Sequence, residues 1–199
     1  WAQEYFKLSE KDSVLQKTTF CFDVSVWELL LPLMTGAKLV FAKPGGQKDT
    51  WYLKSVIEKE QISILHFVPS MLVLFLTDLD EGECQSIKKV VCSGEALKPS
   101  HIELFKKKLP NAELHNLYGP TEAAIDVTYW EMPDSSEPVE IVPIGKPVAN
   151  TSMYILDEWD GLVPLGGIGQ LHIGGMQVAR GYLNRPELTE KNFVKDPFN

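Results

Sequence analysis

From Val14 to Leu117 short apolar runs alternate with segments of helical length, and few architectures accept that order. Residues 14–19, 38–42, 62–67, 89–92 and 112–117 read as strands. Residues 24–35, 50–61, 70–79 and 100–109 read as helices. In the first helix Val26, Leu29, Leu30 and Leu33 share one side, and Gly36 supplies the stop that a helix C-terminus favours. In the second, Leu53, Val56 and Ile57 point inward, and Pro69 opens the third. Strands separated by single helices imply right-handed crossovers, hence an α/β fold with a largely parallel sheet flanked by helices. Beyond Glu122 the helical period disappears. Pro133, Pro138, Pro143 and Pro147 punctuate the chain, 134–140 reads as an exposed loop, and β runs follow at 152–156 and 170–173. The chain therefore divides into an α/β part, 1–130, and a β-rich segment, 131–199.

Composition narrows the function classes. The net charge of -8 argues against a nucleic-acid-coating protein and leaves no basic patch for an anionic membrane. No apolar run approaches the length of a membrane span. Cys21, Cys84 and Cys92 fit no zinc spacing and read as reduced thiols of a cytoplasmic protein. Trp1 opens no signal-peptide pattern, and without an initiator Met the chain reads as a piece of a longer polypeptide.

In open α/β sheets ligands bind beyond the carboxyl ends of the strands, and four polar residues fall there: Asp23, His66, Ser93 and Tyr118. In Phe22-Asp23-Val24-Ser25-Val26-Trp27-Glu28, Ser25 and Glu28 fit a capping box, which frees Asp23 to meet a cation such as a ligand ammonium. On spacing alone an N-cap or lysine-paired Asp23 is the commoner outcome. Val91-Cys92-Ser93-Gly94-Glu95-Ala96 runs a strand into glycine, which lets backbone N–H groups approach a ligand, although an ordinary strand-to-helix turn reads the same way. Asn116-Leu117-Tyr118-Gly119-Pro120-Thr121-Glu122 presents an aromatic face, a hydroxyl and a carboxylate from one turn. That set suits a nucleotide base, a phosphate oxygen and Mg²⁺. The glycines of 169–175 and Arg180 read as structural. His66, alone on an apolar strand, reads as a satisfied core residue. A Gly-x-Ser-x-Gly elbow and a Walker-type phosphate loop are both missing.

Taken together these segments resemble the amino-acid adenylation domain of nonribosomal peptide synthetases, within the adenylate-forming superfamily. The resemblance runs nearly end to end. It includes Pro143-Ile144-Gly145-Lys146-Pro147 and Arg180-Gly181-Tyr182-Leu183-Asn184-Arg185-Pro186-Glu187-Leu188-Thr189, with Gln170 standing where the family usually has Glu. It implies the adenylate-forming fold, with 1–130 carrying the substrate and adenine sites and 131–199 belonging to the same N-terminal domain. The family's phosphate loop would precede Trp1, and its hinge and catalytic lid would follow Asn199. On its own the chain is therefore expected to be inactive. The implied chemistry is attack of a carboxylate on the α-phosphate of ATP, then transfer of the acyl group to phosphopantetheine on a carrier protein.

The resemblance also assigns residues. Tyr118 stacks on adenine and Asn116 bonds it, with Gly94, Glu95, Ala96 and Gly119 lining that site. Thr121 contacts the α-phosphate, and Glu122 holds Mg²⁺. Asp23 pairs with the substrate ammonium. Val24, Trp27, His66, Val91, Ser93, Leu117, Ile125 and Asp126 form the side-chain pocket. Trp27 makes that pocket shallow and His66, Ser93 and Asp126 make it polar, similar to serine-activating members. L-serine is expected, with threonine second because Val91 is smaller than the usual residue there. Expected partners are the amino acid, a peptidyl carrier domain and other synthetase domains; a small accessory protein is left open. The alternatives are an acyl- or aryl-CoA ligase of the same superfamily, or a non-catalytic piece that binds nucleotide weakly.

Overall fold

The computed structural model describes residues 1–135 and 137–198. Five parallel strands come first: β1 (Ser13–Gln16), β2 (Lys38–Phe41), β3 (Ile64–Phe67), β4 (Lys89–Cys92) and β5 (Glu113–Tyr118), in the order β2-β1-β3-β4-β5. Antiparallel β6 (Thr128–Glu131) and β7 (Lys146–Pro147) extend the same sheet past β5, so it crosses the expected boundary at residue 130.

Successive strand residues point to opposite faces, and each face buries its own set. Leu15, Leu65, Val90 and Leu114 pack under α3 (Thr50–Glu60), α4 (Pro69–Asp78) and α5 (Pro99–Lys108), through Ile57, Phe75 and Phe105. Val14, Ile64, Val91 and Leu117 face the other way. They meet Phe6 of α1 (Ala2–Phe6) and Trp27 and Leu31 of α2 (Ser25–Thr35). The helices expected in the first half are all present, within one or two residues at their ends.

Three local expectations are corrected. α2 buries Ser25, Trp27, Glu28, Leu31 and Pro32, while Leu30 is 52% and Leu33 69% exposed. This helix is apolar nearly all round, so its period does not say which side turns inward. The capping box is not formed either. The N-cap position falls on Val24 without a side-chain bond, and Ser25 Oγ donates to Phe20 O at 3.4 Å. Glu28 is instead fully buried and turned toward the end of β1. It accepts from Thr18 Oγ1 at 2.7 Å, Thr18 N at 3.0 Å, Lys17 N at 3.3 Å and Gln16 Nε2 at 3.4 Å. Those bonds draw the 17–18 backbone away from the ladder, so the strand expected to reach residue 19 ends at Gln16.

After the main sheet, β8 (Thr151–Leu156) and β9 (Gln170–Gly175) form a separate antiparallel pair. The expectation of no helix in this part is also corrected: α6 (Pro186–Asn192) follows, opened by Pro186 at its first turn. Position 136 of the expected 134–140 loop lies outside the described residues. Among the described residues no helix is long and apolar enough to cross a membrane, and the three cysteines are free.

Candidate active site

Two clefts meet at Leu117, near the carboxyl end of β5. The first, about 410 Å³, is lined by Gly94, Glu95, Ala96, Asn116, Tyr118 and Gly119, with Val142 and Ile144 opposite. It collects the residues expected around adenine; Thr121, expected at the α-phosphate, stands exposed outside its lining. Gly94 holds a φ of +83°, a conformation that a side chain would strain. Glu95 turns its carboxylate away to accept from Ser70 N at 2.9 Å and Ser70 Oγ at 3.0 Å, so backbone is what it offers the cleft. Asn116 Nδ2 donates to Pro143 O at 3.0 Å, which fixes the amide plane at the cleft wall.

The second cleft, about 300 Å³, is lined by Trp27, Leu117, Ile125 and Asp126 together with Phe6, Asn150 and Gln177. Val24 and Val91 lie buried behind it, in the same apolar cluster as Trp27 and Leu117. Two buried polar atoms on this wall have no hydrogen-bond partner among the described residues: Trp27 Nε1 and Asp126 Oδ1. Burial, reinforced by the nearby Asp23 carboxylate, pushes Asp126 up to about 7. Asp23 itself is half-buried, just before the Val24 N-cap of α2, and its side chain forms no hydrogen bond among the described residues; its carbonyl accepts from Val26 N at 2.9 Å. Unpaired polar atoms in a dry wall cost free energy unless a ligand completes them.

His66 and Ser93 are brought together but satisfy each other. His66 Nε2 and Ser93 Oγ share a 2.9 Å bond, and both residues are buried. Desolvation, with the Lys17 ammonium adding to it, holds His66 well below the ordinary histidine value, so the ring is neutral. Neither residue lines the second cleft, whereas Trp27 and Asp126 do.

Glu122 is half-buried and its Oε1 accepts from the Tyr182 hydroxyl at 2.6 Å, a bond that lowers the carboxyl's pKa. Among the described residues no cluster of three or more His, Cys, Asp or Glu could cage a metal. Mg²⁺ does not require such a cage: it keeps waters and is held by one or two carboxylates plus substrate phosphates. Glu122 is then the residue that would hold it, and the ion would neutralise phosphate charge.

The segment after β9 wraps the loop that carries both Glu122 and Asp126. Ala179 N donates to Glu122 O at 2.8 Å, Val178 bridges Ala123, and Gln177 reaches Ala124 and Asp126. Arg180 is exposed and forms no ion pair among the described residues. Sequence reasoning missed Gln177, Tyr182 and Glu28. A lone Gln near glycines carries no signal, and Glu28 was hidden behind a capping pattern that it only mimics.

A parallel sheet with a backbone-lined cleft and a dry, polar-tipped cleft at its strand ends is the arrangement of an adenylate-forming protein. The chain belongs to the AMP-binding enzyme family, whose model matches residues 1–183. It is 47% identical over 198 residues to tyrocidine synthase 3 of Brevibacillus parabrevis, covering all of this chain and 3% of that protein. It is 44% identical over 206 residues to enterobactin synthase component F of Escherichia coli, covering 16% of it. Among solved structures, a four-domain nonribosomal peptide synthetase bound to AMP and glycine matches with a TM-score of 0.89 and 32% identity, over 98% of this chain and 14% of that one. The N-terminal subdomain of NpsA from Klebsiella oxytoca, in complex with 3-hydroxyanthranilyl-AMSN, matches at 0.83 and 28%, over 98% of this chain and 48% of that one. The chain thus spans only a small part of the length of the curated relatives it matches.

Proposed function

We propose that the chain is the part of an amino-acid adenylation domain that holds the amino acid and the adenine, and that its parent activates L-serine, with threonine second. The observation that carries this reading is the pair of buried, unpartnered atoms at the second cleft, Trp27 Nε1 and Asp126 Oδ1, beside the uncommitted Asp23 carboxylate. A ligand that completes them brings an ammonium for Asp23 and a short polar side chain for the wall. A substrate without an amino group, as an acyl- or aryl-CoA ligase takes, leaves Asp23 and Asp126 facing one another with nothing to separate them.

The first cleft then receives adenine, with Tyr118 stacking and Asn116 at the edge of the base. Thr121 binds the α-phosphate and Glu122 holds Mg²⁺. Asp23 orients the amino acid so that its carboxylate reaches that phosphate, and the apolar cluster behind Trp27 keeps water out. Positioning and charge neutralisation supply most of the catalysis in such a step. Transfer to a carrier-bound phosphopantetheine completes the parent's reaction; the chain alone is inactive.

Amino-acid-dependent ATP–pyrophosphate exchange on the parent module, with the twenty amino acids and an aryl acid, tests this. A dominant serine signal, reduced by Asp23→Ala and by His66→Ala, is expected. Exchange with the aryl acid alone would overturn the substrate assignment, and serine-dependent exchange by the isolated chain would overturn its inactivity.

A further inference from the structure

Ile125, on the wall of the second cleft, has a φ of +75°. A β-branched residue seldom adopts that region, because its branched Cβ crowds the carbonyl. Asp126 N donates to Ala124 O at 3.1 Å, which closes a three-residue turn about Ile125. Together the bond and the sign of φ define a γ-turn of the rare, strained kind. Strained turns persist only where their surroundings over-determine them. The turn sets Ile125 and Asp126 in the lining of the second cleft, so whatever holds it sets the shape of that cleft.

Gln177 lies just past the end of β9, far from this turn in sequence, and reaches both of its sides. Its Nε2 donates to Asp126 O at 3.0 Å and to Ala124 O at 3.3 Å, the carbonyls on either side of Ile125. The Thr151 hydroxyl donates to Gln177 Oε1, which commits the oxygen and leaves the nitrogen facing the turn. Gly119 supports the turn from the other cleft: a Cβ there would collide with Ile125 O and Asp126 Cα.

We propose that Gln177 is a positioning residue for amino-acid selection: its amide, oriented by Thr151, clamps the Ile125 γ-turn and thereby places Asp126 in the pocket. The inference rests on the second cleft being the amino-acid site. It differs from assigning Gln177 a simple packing role, because the clamp needs two N–H donors of one nitrogen rather than volume.

Three variants of the parent module separate these roles. Gln177→Met keeps the volume and removes the donors. Gln177→Glu keeps the shape and sets an oxygen against two carbonyls. Thr151→Val removes the hydroxyl that orients the amide. In ATP–pyrophosphate exchange, Gln177→Met raises the KM for the amino acid about tenfold, because a small misplacement of a contacting group is costly. Gln177→Glu raises it further and Thr151→Val less, while the KM for ATP stays within about twofold of the wild type. A rise of both KM values together with a drop in thermal midpoint would reduce Gln177 to a structural residue. Wild-type behaviour of Gln177→Met would remove the clamp altogether. Hydrogen–deuterium exchange of peptides covering residues 122–128 gives a readout independent of turnover. Faster exchange there in Gln177→Met, with residues 64–67 unchanged, is expected, and equal protection in the two proteins would overturn the clamp. If the wild-type module exchanges with no amino acid, the activation reading falls, and the deuterium experiment still decides whether the clamp exists.

Discussion

The two clefts that share Leu117 are built on opposite principles. The first is walled by glycines, backbone, one tyrosine ring and the aliphatic side chains of Leu97, Leu117, Val142 and Ile144, and its polar side chains Glu95 and Asn116 are bonded to the protein itself. Such a surface suits a ligand that is always the same and needs shape, stacking and backbone contacts. The second is an open cleft of mostly apolar residues that leaves Trp27 Nε1 and Asp126 Oδ1 without partners among the described residues. On the proposed reading, discrimination comes from that incompleteness: a ligand lacking the matching group leaves the wall as costly as it was when empty. One strand end thus carries a general cleft and a selective one.

Four measurements on the parent module can break or sharpen this contrast. Asp23→Ala should have the largest effect. Loss of a desolvated partner for the ammonium costs about 3 kcal/mol, roughly a hundredfold in kcat/KM for the amino acid, with the KM for ATP little changed. Equal losses for both substrates would show that the clefts are not separable. Tyr118→Ala should act on the other side alone. A lost aromatic stack costs about 2 kcal/mol, so the KM for ATP rises roughly thirtyfold while amino-acid preference persists. Gly119→Ala sits at the junction, where a methyl group meets Ile125 and Asp126; overpacking of about 1–2 kcal/mol should raise both KM values roughly tenfold.

The smallest effect is on pH dependence. Asp126 is raised in the folded state from 3.8 to about 7 by burial and by Asp23. Its contribution to stability is therefore full below the unfolded value and is lost as pH rises through about 7. Asp126→Asn should flatten that part of the thermal-midpoint profile. The buried His66, depressed below 6.5, contributes the opposite slope and is untouched by the substitution. A profile unchanged in Asp126→Asn would mean that the carboxyl is not desolvated, and the selective cleft would lose its main feature.

Much of this organisation was legible in residue order. The alternation of strand-like and helix-like segments names the parallel sheet, and the two-residue step from Val91 to Ser93 already puts both on one face. The turns at Ser93-Gly94 and Gly119-Pro120, which line the first cleft, were legible because their chemistry is local. The selective cleft was less so. α2 carries apolar residues on every side, so its inward face is decided by Trp27 and Glu28 meeting β1, a contact with no local trace. Glu28 imitates a cap in sequence and spends its carboxylate on residues 16–18 instead. Gln177 lies 51 residues from Asp126, and the β8–β9 pair and the Val178–Ala123 bridge, both non-local, bring it there.

The positive φ at Ile125 bears on anyone who would retune this protein for a different amino acid. Changing a pocket is usually treated as a choice of side-chain size and polarity. At position 125 the backbone imposes a second requirement, because any replacement inherits a left-handed conformation that only Gly, Asn and Asp adopt at little cost. A library that varies residue 125 freely spends most of its members on chains that strain the turn. One that varies Trp27 or Val91, on ordinary helix and strand backbone, samples volume without that penalty. The useful search space of the pocket is therefore smaller than its list of lining residues, and it is set by a single dihedral angle.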